Sequence, residues 1–437
     1  MKRFFSIILI SILVVLSVPF NVFSSASDIV MPNDFAIVSN AVYLENLDTG
    51  RVVFEKNADE KVYPASTTKI MTSALALEMC ESPESTIATV PFDIWDEFVG
   101  MNISTAGLSR GEELSITELV HCMMLQSANE AASTVADFFG REEFISAMNS
   151  KAKELGCKQT HFSNPHGLFG EDHYTTASDM AKITKWALGV DNFLEISEKA
   201  RYTLRETNKN GEKILATTIL LQDPYSKYYT PYVKGVKTGT LNQSGRCLVT
   251  IAEKNNMTYL LVLMGAPLEP TSGFWDASNS AFNETRLIYD WVFSNTHLEN
   301  IINYDTPITE VPVKYSKKRD ALVLYPYGDL YALLNNSKDE LPEVYYELDL
   351  PENIEAPVHN SQVIGSAKVY ADDILIGEVD LISREEIEYS WFSMVMSKMT
   401  NVFTSRPAVI IYIAVLLLIV LYVLYIVLTI KKNKKRS

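Results

Sequence analysis

Hydrophobic and polar positions follow two different patterns along the chain, and the change between them separates two regions. From about residue 34 to residue 295, periods typical of helices alternate with periods typical of strands. Residues 41–55 alternate around Asp48-Thr-Gly50, which predicts a β-hairpin. From residue 306 to residue 383 the apolar segments all have the strand pattern, which predicts a separate small β domain.

The mixed region carries short signals that place the ends of its elements. Ser115-x-x-Glu118 has the form of a capping box, so a helix should begin just after Ser115. A second helical pattern starts at Asn129 and should end at Gly140. Residues 245–253 and 257–266 are two apolar runs close together, which predicts two strands.

The first 26 residues have the pattern of a secretory signal. Two basic residues open the chain, an apolar run covers residues 4–18, and Ser24-Ser-Ala26 supplies small residues at the exit. We therefore expect export of the chain and cleavage after Ala26. A retained N-terminal anchor is the alternative interpretation of the same pattern.

The other end of the chain contains a longer apolar segment. Residues 408–430 carry no charge over 23 positions, and as a helix of about 34 Å they would cross a bilayer. Five basic residues follow in 431–437, and the positive-inside rule places such a cluster in the cytoplasm. A buried core helix, the alternative, does not account for that basic tail. We expect a C-terminal anchor with nearly all of the chain outside.

An amphipathic segment, residues 386–407, precedes this anchor. Trp391, Val395, Met399 and Phe403 recur at every fourth position and predict a helix over 387–403 with one apolar face. Such a helix suits the surface of a membrane. A helix packed against the β domain is the alternative.

Composition and charge narrow the classes of partner. The chain has 437 residues, too many for one ordinary domain, and 47% of them are hydrophobic. Seven of the 38 basic residues lie in the two terminal segments, which leaves 31 against 54 acidic residues and a net charge of −23 between them. We therefore expect neither nucleic acid nor anionic lipid as a partner of that region. The four cysteines form no CxxC pair, and we expect mostly free, buried thiols.

One serine–lysine pair has a chemical purpose available to it. Ser66 and Lys69 in "PASTTKIMT" lie three residues apart at the start of an apolar helix, so they share a helix face. A serine needs an adjacent base to act as a nucleophile, and lysine serves only when burial or a nearby cation lowers its pKa. Ser150 and Lys153 have the same spacing but are expected on an exposed helical face.

Two downstream motifs support a catalytic role for the pair Ser66 and Lys69. Ser127-Ala-Asn129 lies between two helical patterns, and Lys237-Thr-Gly239 lies in a segment expected to be an edge strand, where Gly239 should let a substrate backbone come close. The order Ser-x-x-Lys, Ser-x-Asn, Lys-Thr-Gly resembles the motif set of the penicillin-recognising serine enzymes. Within them, the chain resembles the low-molecular-mass penicillin-binding proteins that are serine-type D-Ala-D-Ala carboxypeptidases.

The resemblance covers about residues 41–295 and implies a fold. It is carried by the segments 64–69, 126–129, 164–168, 176–179 and 235–239. The implied fold class is α/β of the α+β type: a catalytic domain with an antiparallel sheet flanked by helices, then a small all-β domain and a C-terminal transmembrane helix. No metal and no cofactor are implied.

The resemblance also implies catalytic roles. Ser66 would be the acylated nucleophile and Lys69 the base that takes its proton. Ser127 would relay a proton to the departing D-alanine. Asn129 would hold the substrate amide and position Lys69.

The remaining motif residues would bind the substrate. Lys237 would set a positive potential that attracts a carboxylate, and Thr238 would hydrogen-bond the terminal carboxylate beside Gly239. The backbone N–H groups of Ser66 and Thr240 would form the oxyanion hole.

The chain departs from the family pattern at three places. Ala128 stands where many relatives have glycine or aspartate, and its small size should be tolerated. Thr240 replaces a histidine that is common after Lys-Thr-Gly, which puts substrate preference and deacylation in doubt. Some relatives use a downstream arginine for the carboxylate; Arg286 is out of register here, and Arg246 is a weaker choice.

Other chemistries have less support in the sequence. His161, His166 and His173 lie close together, but no HExxH motif or cysteine cluster accompanies them, so we expect no metal site. A Ser-His-Asp triad lacks its Gly-x-Ser-x-Gly turn.

These observations predict a penicillin-sensitive carboxypeptidase that trims peptidoglycan stem peptides outside the cell membrane, with β-lactams as covalent inhibitors. A β-lactamase is one alternative, although no Glu-x-x-Leu-Asn motif supplies its deacylation base. A penicillin-binding sensor or scaffold is the other. The predicted segments are a signal peptide (1–26), the catalytic domain (27–298), the small β domain (299–385), the amphipathic segment (386–407), the transmembrane helix (408–430) and the basic tail (431–437).

Overall fold

The computed structural model describes residues 29–434 except 33–34, 36, 270–278 and 338–340. The predicted signal peptide and residues 435–437 of the predicted tail lie outside the described residues. The chain forms two compact units. The first runs to Glu299 and includes Leu333–Leu341; the second comprises Asn300–Ala332 and the chain from Pro342 onward.

A five-stranded antiparallel sheet organises the first unit, in the order β2-β1-β9-β8-β7. Four short strands form two further hairpin-like pairs, β3 with β4 and β5 with β6. The strands are β1 (Ala41–Asn46), β2 (Arg51–Lys56), β3 (Ile87–Thr89), β4 (Glu113–Ser115), β5 (Arg201–Leu204), β6 (Lys213–Ala216), β7 (Val233–Leu241), β8 (Gly245–Lys254) and β9 (Met257–Ala266).

Helices cover both faces of the five-stranded sheet. They are α1 (Lys69–Met79), α2 (Ile116–Leu125), α3 (Asn129–Phe139), α4 (Arg141–Glu154), α5 (Ala177–Leu188), α6 (Phe193–Ser197) and α7 (Ser280–Asn295). Strand β9 is apolar at successive positions because it is buried on both sides. Its Leu260 and Val262 belong to the core with α1–α6, while Leu261 and Leu263 belong to the core with α7. This architecture confirms the predicted fold class.

Local sequence signals place the elements as predicted. Ser115 and Glu118 form a capping box at the start of α2, and α3 stops before Gly140. The predicted hairpin is the antiparallel pair β1–β2, and β7, which carries Lys237, is an edge strand. One detail differs: Ser66 lies in a 3-10 turn, Ala65–Thr68, and α1 begins only at Lys69.

The second unit contains a six-stranded sheet in the order β14-β16-β17-β12-β11-β15, with β11 and β15 parallel and its other pairs antiparallel. Strands β10 and β13 cross the division between the units. The strands are β10 (Thr296–Ile302), β11 (Thr309–Lys314), β12 (Ala321–Pro326), β13 (Leu330–Asn335), β14 (Val344–Asp349), β15 (Ile354–Glu355), β16 (Val363–Ala371) and β17 (Ile374–Ser383).

Two helices end the chain. Helix α8 (Trp391–Thr404) begins at Trp391 and not at residue 387, because Ile387 is paired with Val358 through two backbone hydrogen bonds and packs into the β core. Helix α8 has no buried residue, and its Ser393 hydroxyl donates to the Ser316 carbonyl at 2.8 Å. Helix α9 (Arg406–Lys434) is long and apolar enough over Arg406–Ile430 to cross a membrane.

Candidate active site

Ser66 and Lys69 meet at the junction of the 3-10 turn with α1. Lys69 Nζ lies 3.1 Å from Ser66 Oγ. The 3-10 geometry brings them together because residues i and i+3 eclipse one another in such a turn. Lys69 is fully buried, whereas Ser66 is half-buried and open to a substrate.

Two further acceptors fix the Lys69 amine. Its Nζ donates to Asn129 Oδ1 at 2.7 Å and to the carbonyl oxygen of His166 at 2.6 Å. Burial, and then the nearby Lys237 cation, hold the pKa of Lys69 well below its usual value, against a smaller raising effect of Glu130. A neutral amine has two N–H donors and one lone pair. With both donors engaged, the lone pair is left for the Ser66 hydroxyl.

The backbone that carries the His166 carbonyl needs a glycine next to it. Gly167 has φ +86, and a Cβ built there would lie 1.9 Å from the Ala65 carbonyl oxygen. The loop therefore touches the turn that holds Ser66. Asn164 Oδ1 accepts the Gly167 N–H at 2.7 Å and fixes the loop from its other side.

The His166 side chain is held by an ion-pair network that the sequence patterns did not reveal. Its Nδ1 accepts the Leu168 N–H at 3.1 Å, so its Nε2 carries the proton donated to Glu97 at 2.9 Å. Arg141 also binds Glu97, at 2.9 Å. Despite its partial burial, hydrogen bonds from His166 and Arg141 lower the pKa of Glu97 to about 2. This network fixes the loop whose carbonyl accepts from Lys69.

Ser127 and Asn129 occupy the turn between α2 and α3. Ser127 has a left-handed backbone, φ 58, which is uncommon for a residue other than glycine and marks a constrained position. The Asn129 backbone N–H donates to Ser104 at 3.0 Å, and its side chain reaches Lys69. Ser127 itself makes no side-chain hydrogen bond within the described part of the chain.

The carboxylate of Glu130 ties a second loop to this turn. Its Oε1 accepts from the Thr105 hydroxyl at 2.6 Å and from the Ala106 N–H at 2.8 Å. Its Oε2 is buried without a partner among the described residues. Glu130 is fully buried and raises the pKa of Lys69, against the larger lowering effects of burial and Lys237, and the sequence reasoning did not single it out.

Lys237 and Thr238 project from the edge strand β7. Lys237 is fully buried and donates to the Thr238 carbonyl at 2.8 Å, and burial lowers its pKa to about 7. Thr238 is half-buried, and its Oγ1 lies 2.7 Å from Oγ1 of Thr218, a residue that no motif indicated.

Position 239 requires a glycine for a different reason from the one we expected. A Cβ at this position would lie 3.0 Å from the Pro64 carbonyl oxygen and 3.1 Å from Ser66 N. The protein's own turn fills that space, so the glycine lets β7 pack against the Ser66 turn. Because Gly239 has no side chain, the Lys-Thr-Gly strand lies beside Ser66.

Thr240 and the candidate arginines lie around this strand end. Thr240 is exposed and pairs in register with Arg246 on β8. Arg246 Nη2 donates to Leu268 at 3.2 Å, and its Nε is buried without a partner among the described residues. Arg286 lies on α7, on the other side of the sheet from α1–α6.

The remaining candidate groups have ordinary structural roles. His161 Nδ1 binds the Asp172 carbonyl, and His173 Nε2 binds Thr68 at 2.8 Å. Within residues 29–434, gaps apart, no cluster of histidine, cysteine, aspartate or glutamate suits a metal ion. Ser150 and Lys153 are exposed on α4, as predicted. All four cysteines are free, but only Cys122 and Cys247 are fully buried.

Two protein-family models match the chain. The family model described as D-alanyl-D-alanine carboxypeptidase matches residues 28–268, and the model described as penicillin-binding protein 5, C-terminal domain, matches residues 298–389. The chain is 28% identical over 396 residues to the D-alanyl-D-alanine carboxypeptidase DacF of Bacillus subtilis, which covers 90% of this chain and 96% of that protein. It is 27% identical over 379 residues to DacA of Escherichia coli strain K12, which covers 84% of this chain and 88% of that protein.

Solved structures give the same result. Penicillin-binding protein 5 from Haemophilus influenzae superposes with a TM-score of 0.65 at 25% identity, covering 82% of this chain and 99% of that one. A peptidoglycan synthesis regulatory factor from Streptococcus pneumoniae gives a TM-score of 0.68 at 21% identity, covering 81% and 100%, which shows the shared fold alone. Because the first family model spans more than half of its residues, the chain belongs to the D-alanyl-D-alanine carboxypeptidase family.

Proposed function

We propose that the chain is a penicillin-sensitive serine-type D-Ala-D-Ala carboxypeptidase that removes the terminal D-alanine from peptidoglycan stem peptides. The arrangement of Lys69 carries the proposal. Its two donors are engaged by Asn129 and His166, and its depressed pKa leaves a lone pair for the Ser66 hydroxyl. This is the environment that an uncharged lysine base requires.

The reaction follows from these positions. Ser66 Oγ attacks the carbonyl carbon of the penultimate D-alanine while Lys69 takes the hydroxyl proton. The negative charge on the carbonyl oxygen is met by the N–H groups of Ser66 and Thr240. Removing one such donor typically costs about 3–4 kcal/mol of transition-state stabilisation. Ser127 then passes a proton to the departing amine, and water later cleaves the acyl ester.

The substrate's terminal carboxylate is assigned to the other side of the cleft. Lys237 supplies positive charge from its buried position on β7, and the half-buried Thr238 supplies a hydroxyl donor. Gly239 keeps this strand against the Ser66 turn. Asn129, beyond positioning Lys69, would hold the substrate amide through its side chain.

The structure also bears on the β-lactamase alternative. A fast β-lactamase needs a carboxylate free to activate the deacylating water. Glu97 is engaged by His166 and Arg141. Glu130 is held through Oε1 by Thr105 and Ala106, and its Oε2, which has no partner among the described residues, is buried away from solvent. Slow hydrolysis of the penicilloyl ester, and hence inhibition, follows. A non-catalytic sensor is disfavoured because Lys69 is prepared as a base.

We further propose that the chain is a single-pass protein of the cell membrane with its catalytic domain outside. The support is the length and apolar surface of α9 and the basic residues that follow the apolar segment. The exposed apolar side chains of α8, among them Trp391 and Phe403, would rest in the membrane surface.

Labelling with penicillin tests the nucleophile directly. The full chain in detergent should form one covalent adduct, located by mass spectrometry on the peptide containing Ser66, and should release D-alanine from a pentapeptide ending in D-Ala-D-Ala. Ser66→Ala should abolish both. Ser150→Ala is the matched control, because Ser150 has the same spacing to a lysine but is exposed. An adduct on Ser127 or Ser150, or no released D-alanine from wild type, would refute the proposal.

A further inference from the structure

The segment that follows β6 connects two parts of the active site that are distant in sequence. The Thr218 backbone N–H donates to the Leu125 carbonyl at 3.1 Å, and Gln126 Nε2 donates to the Ala216 carbonyl at 2.8 Å. These bonds tie residues 216–218 to the end of α2, immediately before Ser127. The same segment is therefore anchored beside the Ser127 turn.

The side chain of Thr218 points from this segment to the strand on the other side of the cleft. Its Oγ1 lies 2.7 Å from Thr238 Oγ1, and both residues are half-buried. Gln222, four positions later, accepts the Gly235 N–H of β7 at 2.6 Å and donates to Thr217 Oγ1 at 3.0 Å. The segment that carries Thr218 is thus bonded to the end of α2 on one side and, through Gln222, to β7 on the other.

Counting protons shows what the hydroxyl pair offers to a ligand. Each threonine hydroxyl has one donor and two acceptor positions. The bond between Thr218 and Thr238 uses one of the two protons, and neither hydroxyl has another hydrogen-bond partner among the described residues. One proton remains for an anionic acceptor. When Thr218 donates to Thr238, the Thr238 hydroxyl is oriented outward and is polarised as a donor.

We propose that Thr218 is a positioning residue for the substrate's terminal carboxylate, which acts by donating a hydrogen bond to Thr238 and so orients the Thr238 hydroxyl toward that carboxylate. The assignment deepens the proposed function and rests on it. Because residue 218 is anchored to the Ser127 turn, it also sets the separation between the proton relay and the carboxylate site. The buried amine of Lys237 on the same strand, which a bound anion would keep protonated, makes an anion the favoured acceptor.

Binding to an inactive variant tests this role without turnover. In the full chain with Ser66→Ala, acetyl-D-Ala-D-Ala should bind more tightly than its C-terminal amide by calorimetry. Adding Thr218→Val, which preserves shape and removes the hydroxyl, should weaken binding of the carboxylate peptide about 10-fold and leave binding of the amide within about twofold. Without Thr218 the Thr238 hydroxyl is no longer oriented toward the carboxylate, and losing a hydrogen bond to a charged group weakens binding by about 10-fold or more. Thr218→Ser should restore the preference.

A double substitution separates action through Thr238 from a structural role. The variant with both Thr218→Val and Thr238→Val should bind the carboxylate peptide no more weakly than the variant with Thr238→Val alone. Equal weakening of both peptides by Thr218→Val, failure of serine to restore the preference, or additive losses in the double variant would each overturn the proposal. If wild type released no D-alanine, the carboxypeptidase assignment would be refuted. The preference for the carboxylate peptide over the amide would still decide the role of Thr218.

Discussion

Replacing Lys237 by methionine should stabilise the protein near pH 6.5 while it removes activity. Lys237 is fully buried on β7, and its Nζ has one hydrogen bond, to the Thr238 carbonyl. Burial lowers its pKa to about 7 from the usual 10.5 of a lysine. That shift corresponds to about 5 kcal/mol against the charged form. Methionine has a similar length and no charge, so the folded chain is relieved of this penalty.

The expected gain is smaller than the penalty, and it depends on pH. Replacing buried ions by apolar groups stabilises proteins by about 1–4 kcal/mol, and losing the bond to Thr238 returns about 1 kcal/mol. Since the folded pKa of Lys237 lies below the unfolded one, the unfolded chain holds an extra proton between pH 7 and about 10.5. The stability of wild type therefore rises with pH in that window. The advantage of Lys237→Met should be about 2 kcal/mol at pH 6.5 and should fall by about 1.4 kcal/mol per unit above pH 7.

Denaturant unfolding of the full chain in detergent, followed by tryptophan fluorescence at pH 6.5, 8 and 9, measures this difference. Titrating groups other than Lys69, whose pKa is lowered by Lys237, cancel between wild type and variant. Lys234→Met is the matched control on the same strand: Lys234 is paired with Glu253 and partly exposed, and its pKa is raised, so its removal should change stability little and without pH dependence in this range. A Lys237→Met effect that is independent of pH, or a loss of stability at pH 6.5, would refute the reasoning.

Three further predictions concern the base, the loop and the anchor. Lys69→Arg should be as inactive as Lys69→Ala in penicillin acylation because arginine keeps its proton, and appreciable acylation by the arginine variant would mean that another group is the base. Gly167→Ala should lower the free energy of unfolding, measured by thermal denaturation, by about 3 kcal/mol or more, since its Cβ would lie 1.9 Å from a backbone oxygen. Gly156→Ala is the control: its φ is also positive, at +74, but nothing lies within 4 Å of its Cβ, so it should lower that free energy by only about 1 kcal/mol. Equal losses in the two variants would contradict the clash. Carbonate should extract a chain ending at Arg406 from membranes, whereas the full chain should need detergent. If the short chain stayed in the membrane after carbonate treatment, α8 would be the anchor.

The sequence patterns predicted the parts of the fold that local periodicity encodes. The capping box at Ser115, the stop at Gly140 and the strands β8 and β9 depend on neighbours within a few residues, so they are readable from the chain. The start of α8 was misplaced because Ile387 pairs with Val358, and such a contact leaves no local signal.

The candidate site divides in the same way. Ser66, Lys69, Ser127 and Lys237 stand in short motifs, and the order of the three motifs together with the family resemblance singled them out. Glu97 could not be singled out, because its meaning comes from His166 and Arg141, which lie far along the chain. Thr218 lies in no motif, and its hydroxyl becomes meaningful only opposite Thr238 in the folded protein. Gly239 was noticed, but its packing against Pro64 depends on tertiary structure.

The two buried lysines are electrostatically coupled, which links substrate binding to the base. The charge of Lys237 is one of the causes that lower the pKa of Lys69, yet burial alone already brings the pKa of Lys237 to about 7. Near neutral pH, the empty site therefore contains Lys237 in both forms. A carboxylate bound at Thr238 would favour the charged form of Lys237. That charge in turn would keep Lys69 unprotonated beside Ser66. A ligand with a free carboxylate would thus hold its own base in the reactive state, and a neutral analogue would lose this effect as well as its contact with Thr238.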